Sequence, residues 1–484
     1  MRFALPCLCA LACAALGCDT LVFACTVTGD CPQGDRCEQG GCVAVASAGA
    51  EGEGEGEGEG EGAASEGEGA EGEGEGEGEG EGAVGEGEGE GAEGEGEGEG
   101  EGEGEGEGEA VVCGDHVVAG AEQCDDGNTN NGDGCDATCA RWWDARFPSR
   151  VPVQIVNTGA TVTDAPILVA LDTALIGVSE LGDTACFVDD DDVTVLPFDV
   201  DGVSGAVLHV WVRVPVVNGL AAAHSIRLYR DGPSGVCPDN RGRSVWSGLY
   251  DGVWHLNSDL VDATGAHSLN NEGSVDATGQ IGRGRTVSPS GDRHLEVDAP
   301  ASDALGYTGA MTVEGWFRPA QLHDGQFFNA LIGYGGRSDN DDNPNNFRYY
   351  VALGTFTGTD HHDHVQIASF WEHGNGTDVD TGSNDLTVSI GQMHHIAVTR
   401  SASATTFYFD GVNVGSRAES QMPDGGTNND FRIGGNVFDT ARNADGVIDE
   451  VRISGDVKSA DWIDLQVRSM RGDVALAEGS EAHP

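Results

Sequence analysis

The sequence predicts a mostly β protein: an antiparallel β-sandwich followed by a larger β domain, with two small disulfide modules and a long Glu-Gly linker. Three observations predict this class. Apolar residues alternate with polar ones in segments such as AVLHVWVRVPVV, and period two is typical of strands with one buried face. The fourteen cysteines fall in local groups, and residues 51–109 hold 26 glutamates with no basic residue.

The charge of the chain restricts its partners. The formal net charge is −59, and the residues outside 51–109 still carry 57 acidic against 24 basic side chains. Nucleic acid and anionic lipid repel such a chain, so the sequence predicts no nucleic-acid partner and no membrane contact except through a lipid anchor. Divalent cations and cationic surfaces remain the expected electrostatic partners.

The N-terminus predicts export. Residues 1–17 contain the apolar run FALPCLCALACAAL, which is too short to cross a bilayer of roughly 30 Å but suits a signal peptide. The stretch Ala15-Leu16-Gly17-Cys18 resembles the lipobox of bacterial lipoproteins. This resemblance implies lipidation of Cys18 and a place in the bacterial envelope; the alternative is an ordinary cleaved signal without lipid.

Residues 18–45 predict a small cysteine-rich module just after the lipidation site. The four cysteines of this module have no CxxC spacing and are expected to form two disulfides, with zinc as the alternative: Cys25, Cys31, Cys37 and Cys42. Residues 46–110 follow as a Glu/Gly segment without apolar periodicity, which predicts a disordered tether extended by charge repulsion.

Residues 111–140 form a second cysteine-rich segment. The run Cys124-Asp-Asp-Gly-Asn and the cysteines after it resemble the myxobacterial cysteine-rich repeat, which implies a disulfide module of surface proteins. Its four cysteines are expected to be disulfide-bonded: Cys113, Cys124, Cys135 and Cys139. Asp, Asn and Gly between them are interpreted as tight-turn residues.

Residues 141–240 predict the β-sandwich. The strand text ending in IRLYRDG resembles the bacterial domain-of-unknown-function family 2341. This resemblance implies a fold and a context but no activity. Cys186 and Cys237 flank the second half of the segment and are expected to pair.

Residues 245–472 carry the most specific resemblance. The motifs run in order from Trp254-His-Leu through Met311-Thr-Val-Glu-Gly-Trp316-Phe to Gly446-Val-Ile-Asp-Glu450-Val-Arg-Ile453. They resemble a laminin-G-like, concanavalin-A-like jelly roll, which implies a lectin-like head. Residues 473–484 are expected to be a disordered tail.

The last motif suggests a metal site. If Val447, Val451 and Ile453 face the core, Asp449 faces the same way by the period of two, and an inward carboxylate needs a cation or donors. In this type of jelly roll a calcium ion commonly joins the last strand to an early loop. We therefore predict structural calcium bound by Asp449, Asp262 and Asp259; the alternative is that Asp449 accepts hydrogen bonds.

Ligand-binding residues are harder to predict. Exposed aromatics stack on sugars, so Trp316 and Trp371 are the candidates, although a tryptophan in a sandwich more often packs in the core. The oxygen-rich loop 337–346 and the cluster Asp360-His361-His362-Asp363-His364 are more simply interpreted as polar loops.

The sequence predicts no enzyme. The nearest approach to a paired-carboxylate motif is Leu295-Glu-Val-Asp298-Ala-Pro, where proline stops the series before a third acid. The functional prediction is an envelope-tethered, non-catalytic surface protein that binds a glycan or an extracellular protein. A structural spacer without a ligand is the main alternative, and a glycan hydrolase is a lesser one. An exposed aromatic-lined pocket would favour binding, and a wholly polar face would favour the spacer.

Overall fold

The computed structural model describes residues 35–38, 41–44 and 112–484, with gaps at 178–180, 221, 223, 239–240, 258, 323–328, 336–346, 357–363, 374–376, 420–428 and 438. The chain divides into two compact units near residue 101. The described part of the first unit is one antiparallel hairpin, β1 (Asp35–Glu38) and β2 (Gly41–Ala44), in which Cys37 pairs with Cys42 in backbone register. Cys18, Cys25, Cys31 and the Glu/Gly segment lie outside the described residues.

The second unit begins with the disulfide segment, which two crosslinks hold together. Cys113 is bonded to Cys139, and Cys124 to Cys135. The carboxylate of Asp125 accepts hydrogen bonds from four backbone N–H groups, those of residues 114, 115, 116 and 127. The predicted use of acidic residues as turn formers is therefore confirmed here.

An antiparallel sandwich of two sheets follows, as predicted. Its strands are β3 (Ser149–Ile155), β4 (Val162–Asp172), β5 (Cys186–Val188), β6 (Val195–Leu196), β7 (Phe198–Ser204), β8 (Val207–Val217) and β9 (His224–Arg230). Sheet I contains β3, β9, β5 and β6, and sheet II has the order β4-β8-β7. Alternate residues of both sheets fill one core, and the bond between Cys186 and Cys237 crosslinks β5 to the segment after β9. Short helices α1 (Thr173–Ile176) and α2 (Arg243–Trp246) lie in the connections.

The jelly roll has two larger antiparallel sheets. Its strands are β10 (Gly252–Trp254), β11 (Asn270–Glu272), β12 (Asp276–Thr278), β13 (Arg283–Val287), β14 (His294–Val297), β15 (Met311–Pro319), β16 (Asn329–Gly335), β17 (Phe347–Phe356), β18 (His364–His373), β19 (Thr377–Gly382), β20 (His394–Arg400), β21 (Ala404–Phe409), β22 (Val412–Ala418), β23 (Asp430–Ile433) and β24 (Gly446–Ser454). Sheet III has the order β12-β13-β24-β15-β20-β21-β22, with β10 also paired to β24. Sheet IV has the order β11-β14-β23-β16-β17-β18-β19, and the apolar core lies between sheets III and IV.

Helix α3 (Ala460–Met470) joins the two β domains. Ser459 caps its start, and its apolar face packs into the same buried cluster as the sandwich core and the outer face of sheet III. The helix also supplies hydrogen-bond partners to the edge strand β4. The Ser469 hydroxyl accepts the N–H of Leu168, and the Gln466 amide donates to the carbonyl of Pro166. Edge strands carry unpaired backbone groups, and these two contacts satisfy a pair of them.

The C-terminal residues correct the prediction of a disordered tail. Strands β25 (Ala475–Ala477) and β26 (Glu481–Ala482) both pair with β3, the first strand of the sandwich. His483 lies 2.6 Å from a carboxylate oxygen of Asp136 in the disulfide segment. Local sequence patterns did not predict this pairing, because the tail is short, polar and without clear alternation. None of the helices among the described residues is long and apolar enough to cross a bilayer.

Candidate functional site

A β-bulge in β24 determines where the predicted metal ligands point. Two residues of β24, Glu450 and Val451, stand opposite Gly315 of β15, and Glu450 has a left-handed backbone with φ of +48°. The bulge breaks the period of two, so that Ile448, Val451 and Ile453 face the jelly-roll core while Asp449 faces the outer side of sheet III. The expected inward orientation of Asp449 is therefore wrong.

Asp449 is fully buried and binds backbone donors. Its Oδ2 accepts the N–H groups of Gln280 and Ile281 at 2.7 and 3.0 Å. Burial and the nearby Glu450 carboxylate raise the pKa of Asp449 well above its ordinary value. This is the hydrogen-bonded alternative considered above.

Asp262 and Asp259 do not join Asp449 in a metal site. The carboxylate of Asp262 accepts the N–H groups of Val253, Thr264, Ala266 and His267, together with the Thr264 hydroxyl. Asp259 is exposed. Among the described residues, none of these three aspartates belongs to a group of three potential ligands with atoms within 4.8 Å of one another. Calcium binding stays a prediction without an assembled set of ligands.

Trp316 is a buried side chain and not a ligand-facing one, which corrects its assignment. It is 0 % exposed, its Nε1–H points at the Met470 sulfur 3.0 Å away, and its ring packs edge-on against His395. The bulge beside Gly315 places it under α3. The backbone of Trp371 pairs with Tyr349 in sheet IV, and its side chain lies outside the described residues.

The outer face of sheet IV carries a polar cluster. The sequence indicated only one part of it, the motif Leu295-Glu-Val-Asp298. Glu296 on β14 stands directly opposite Arg432 on β23, and their charged atoms are 2.5 Å apart. Asp298 and Asp430 complete a group of three carboxylates within 4.8 Å. Burial opposes ionisation of Glu296, but His294 and Arg432 lower its pKa to about 2, whereas burial and the Glu296 charge raise the pKa of Asp298. Among the described residues, no aromatic side chain is exposed on this or any other face.

A groove of about 380 Å³ opens at one end of the jelly roll, across the neighbouring strands β13, β24 and β15. Gly446 at its centre is required by close packing, because a Cβ there would lie 2.2 Å from the Arg318 carbonyl oxygen. The floor is made by backbone and small side chains, and the Asp445 carboxylate on the rim accepts a hydrogen bond from Gln321.

Two arginines line this groove, Arg293 from the turn before β14 and Arg318 from the end of β15. Arg293 is exposed and Arg318 half-buried, and neither guanidinium forms a hydrogen bond or an ion pair with the described residues. An unpaired guanidinium is a fork of donors suited to carboxylate, sulfate or phosphate oxygens. The groove therefore has the chemistry of a site for an anionic group, on a chain whose net charge is strongly negative.

The comparisons with known proteins agree with this architecture. A family profile described as the concanavalin A-like lectin/glucanases superfamily matches residues 289–464. These residues form a concanavalin A-like domain. A profile described only as domain of unknown function 4215 matches residues 111–140, the disulfide segment. No curated protein matches the chain.

Several solved structures resemble parts of the chain at low similarity. Domain 4 of AbnA, an extracellular GH43 arabinanase from Geobacillus stearothermophilus in complex with arabinotriose, is 19% identical, with a TM-score of 0.32 over 44% of this chain and 96% of that one. The Ruminococcus gnavus IT-sialidase CBM40 bound to α2,3 sialyllactose is 11% identical, with a TM-score of 0.29 over 40% and 96%. The binding domain of Paraclostridial Mosquitocidal Protein 1 is 15% identical, with a TM-score of 0.35 over 45% and 51%, so this chain spans about half of that domain. TM-scores this low support no conclusion about ligands.

Proposed function

We propose that the protein is an exported, non-catalytic surface protein whose concanavalin A-like domain binds acidic glycans in the end groove. The lipid on Cys18 fixes the chain to the envelope, and residues 46–110 act as the tether. The signal sequence and the three disulfides among the described residues support export, because such bonds persist in oxidising compartments.

The observation that carries the glycan proposal is the pair of unengaged arginines. Most other arginines of the described unit are bound to carboxylates or carbonyls, as Arg213 is to Asp164. Arg293 and Arg318 instead face an open groove. Arginine forks recognise carboxylate and sulfate groups through paired, charge-assisted hydrogen bonds, so uronic, sialic or sulfated sugars fit better than neutral ones. The described faces expose no aromatic ring, which is the outcome expected of the spacer, so the binding proposal rests on the two arginines and not on aromatic stacking.

A hydrolytic role rests on a different observation. Glu296 lies on β14 and Asp298 directly follows the end of that strand, and the pKa values of the two carboxyls are shifted in opposite directions, as in an acid and nucleophile pair. Against hydrolysis, Glu296 is already paired with Arg432 at 2.5 Å, and Nε2 of His294 lies 3.4 Å from the same carboxylate oxygen. Release of reducing ends from polysaccharides, abolished by Glu296→Gln, would establish hydrolysis and overturn the non-catalytic proposal.

The binding test uses the purified protein lacking only the predicted signal, on an array of neutral and acidic glycans. We expect binding to acidic glycans that weakens as salt rises, because the contact is a surface ionic one. Arg293→Ala and Arg318→Ala should each lower affinity about tenfold or more, in line with a charge-assisted hydrogen bond of about 1.5–3 kcal/mol. Arg417→Ala is the matched control, since Arg417 lies on β22 of the same sheet and away from the groove.

Three results would contradict the proposal. Equal binding of neutral and acidic glycans would remove the role of the arginines. Binding that survives the double substitution would place the ligand elsewhere, with the sheet IV cluster next to be tested. If a folded sample binds no glycan on the array, a protein ligand or the spacer is favoured.

A further inference from the structure

The sandwich and the jelly roll meet through a buried network of charged side chains, which we call the domain contact. Asp199 and Asp201 belong to β7, His255 directly follows β10, and Glu450 and Arg452 lie on β24. The Glu450 and Arg452 side chains are completely buried. Sequence patterns did not reveal the network, because 195 residues separate His255 from Glu450.

Hydrogen bonds connect the members of the domain contact. Nδ1 of His255 lies 2.8 Å from Oε1 of Glu450, and Nε2 of His255 lies 3.5 Å from Oδ2 of Asp199. Oε2 of Glu450 accepts a hydrogen bond from Arg452 at 2.8 Å. Burial disfavours charge on the imidazole, but the Glu450 and Asp201 carboxylates raise the pKa of His255 well above its ordinary value. The charged ring therefore faces a carboxylate on each side.

Asp201 has one buried oxygen that this network does not satisfy. Its Oδ1 accepts a hydrogen bond from the Asn257 side chain, but its Oδ2 is closed off from solvent and has no partner among the described residues. A carboxylate oxygen of Asp201, one of Glu450 and a ring nitrogen of His255 lie within 4.8 Å of one another. Two ionised carboxylates are acceptors only, and they repel at such a distance. A proton on Asp201 removes the repulsion and supplies a donor towards Glu450.

The charge balance of the domain contact points in the same direction. Four carboxyl groups face two cationic groups, His255 and Arg452: Asp199, Asp201, Asp449 and Glu450. A buried charge without compensation is costly, so the carboxyl groups in excess take up protons. Burial, the Glu450 charge and a hydrogen bond to Glu450 raise the pKa of Asp201 to about 8. Burial opposes ionisation of Glu450 as well, but His255 and Arg452 lower its pKa to about 2.

Other titratable groups around Asp201 leave this balance unchanged. His209 on β8 is half-buried, and burial lowers its pKa, which keeps the ring neutral. Arg283 on β13 is bonded to Asp276 at 2.6 Å, and both side chains are partly exposed. The buried groups of β15 and its neighbours contact one another: Glu314, His395 and Tyr250.

We propose that Asp201 carries a proton in the folded protein and donates it to Glu450, and that this hydrogen bond makes the link between the sandwich and the jelly roll sensitive to pH. The bond joins β7 of one domain to β24 of the other. When Asp201 loses its proton, two carboxylates repel each other across the domain contact. The inference does not depend on glycan binding.

The direction of the pH effect follows from proton release. Opening the domain contact exposes Asp201, whose pKa falls from about 8 to its ordinary 3.8, so the open form gives up the proton. Opening therefore becomes easier as the pH rises from about 4 to about 8, and it changes no further above about pH 8, where the closed form is ionised too. The link is firm in mildly acidic solution and weaker in alkaline solution.

The first test measures the protonation of Asp201 by infrared spectroscopy. The sample is the purified protein lacking only the predicted signal, with isotope-labelled aspartate. We expect a carboxylic-acid band at neutral pH, part of which disappears with a midpoint near pH 8. That part should be missing from Asp201→Asn, whose amide can donate to Glu450 but cannot ionise.

The second test measures opening of the domain contact by hydrogen exchange of β7 and β10, corrected for the intrinsic effect of pH on exchange. In the unaltered protein the opening constant should rise about three- to tenfold per pH unit up to about pH 8, because one proton is released. Asp201→Asn should remove this dependence. Asp190→Asn is the matched control, since Asp190 is exposed in the turn between β5 and β6, and it should keep the dependence of the unaltered protein.

Two results would overturn the proposal. One is an aspartic-acid band of which no part is lost between about pH 7 and pH 9, around the expected midpoint. The other is the same pH dependence of exchange in the unaltered protein and in Asp201→Asn. If Asp201→Asn does not fold, the labelled unaltered chain decides: a band component that titrates near pH 8 supports the proposal, and its absence refutes it.

Discussion

The two outer faces of the jelly roll carry the same kinds of side chain and use them in opposite ways. Sheet III presents Glu314, His395, Glu450 and Arg452, all at most 1 % exposed beneath α3 and the sandwich. Sheet IV presents Glu296 and Arg432 at the base of a cluster whose Asp298 is exposed. The difference lies in what covers the sheet and not in its residue types. The covered charges on sheet III lie in the contact between the domains, whereas on sheet IV the Asp298 carboxylate remains available to solvent and ligands.

The largest effect should follow from removing a charge on the covered face. Arg452 donates to Glu450 and Gln466 at 2.8 Å and lies 4.2 Å from the ring of Trp211. Arg452→Ala leaves the Glu450 carboxylate buried with less compensation, so we expect a loss of about 3–5 kcal/mol in the free energy of unfolding, measured with urea. Arg417 is half-buried on β22 and donates to the Ser383 carbonyl and the Asn384 side chain, so Arg417→Ala leaves no buried carboxylate without its partner and should cost less than about 1.5 kcal/mol. Similar losses for the two variants would show that burial of a paired carboxylate does not set the size of the effect.

A smaller effect on the open face should depend on pH. The pKa of Glu296 is lowered to about 2 from an ordinary 4.5, so its ionised form stabilises the fold. That contribution is complete above about pH 4.5 and is lost as the pH falls towards 2. We expect the unaltered protein to lose about 1–2 kcal/mol more than Glu296→Gln over this window, allowing for solvent screening. Chemical denaturation at several pH values measures the difference, and parallel curves would refute it.

The smallest effect should come from Asp298. Partial burial and the neighbouring Glu296 carboxylate raise the pKa of Asp298, and the residue is exposed. Asp298→Asn removes this repulsion, so we expect the free energy of unfolding to change by no more than about 0.5 kcal/mol, in the stabilising direction. Glycan binding in the end groove should be unchanged. A large destabilisation would mean that Asp298 pairs with a cation, and the sheet IV cluster would then resemble the covered face.

Most of the fold could be predicted from the sequence, because strands leave a local signal. The period of two in AVLHVWVRVPVV predicted β8, and the GVIDEVRI motif predicted the central strand β24. What failed were features set by tertiary contacts. The bulge at Glu450 reversed the direction of Asp449, and the pairing of β25 and β26 with β3 turned the expected tail into part of a sheet.

The candidate sites were much less predictable. Arg293 lies in the turn before β14 and Arg318 lies 25 residues later, near the end of β15, and only the tertiary fold brings them to one groove. Trp316 shows the opposite kind of error. Its indole ring suggested sugar stacking, but helix α3 covers it, so it is a buried residue. Local sequence patterns indicate which residues have side chains suited to binding a ligand. They do not indicate which face of a sheet stays exposed to solvent in the fold.

The return of the chain end to β3 has a mechanical consequence. The chain enters the jelly roll after β9 and leaves it through α3 to finish in sheet I, so the jelly roll is inserted within the sandwich and is connected to it by two covalent passages. A force applied to the jelly roll is therefore shared by two covalent connections and by the packed contact between the two domains. A domain attached in this way can bear a load without being peeled away from one end.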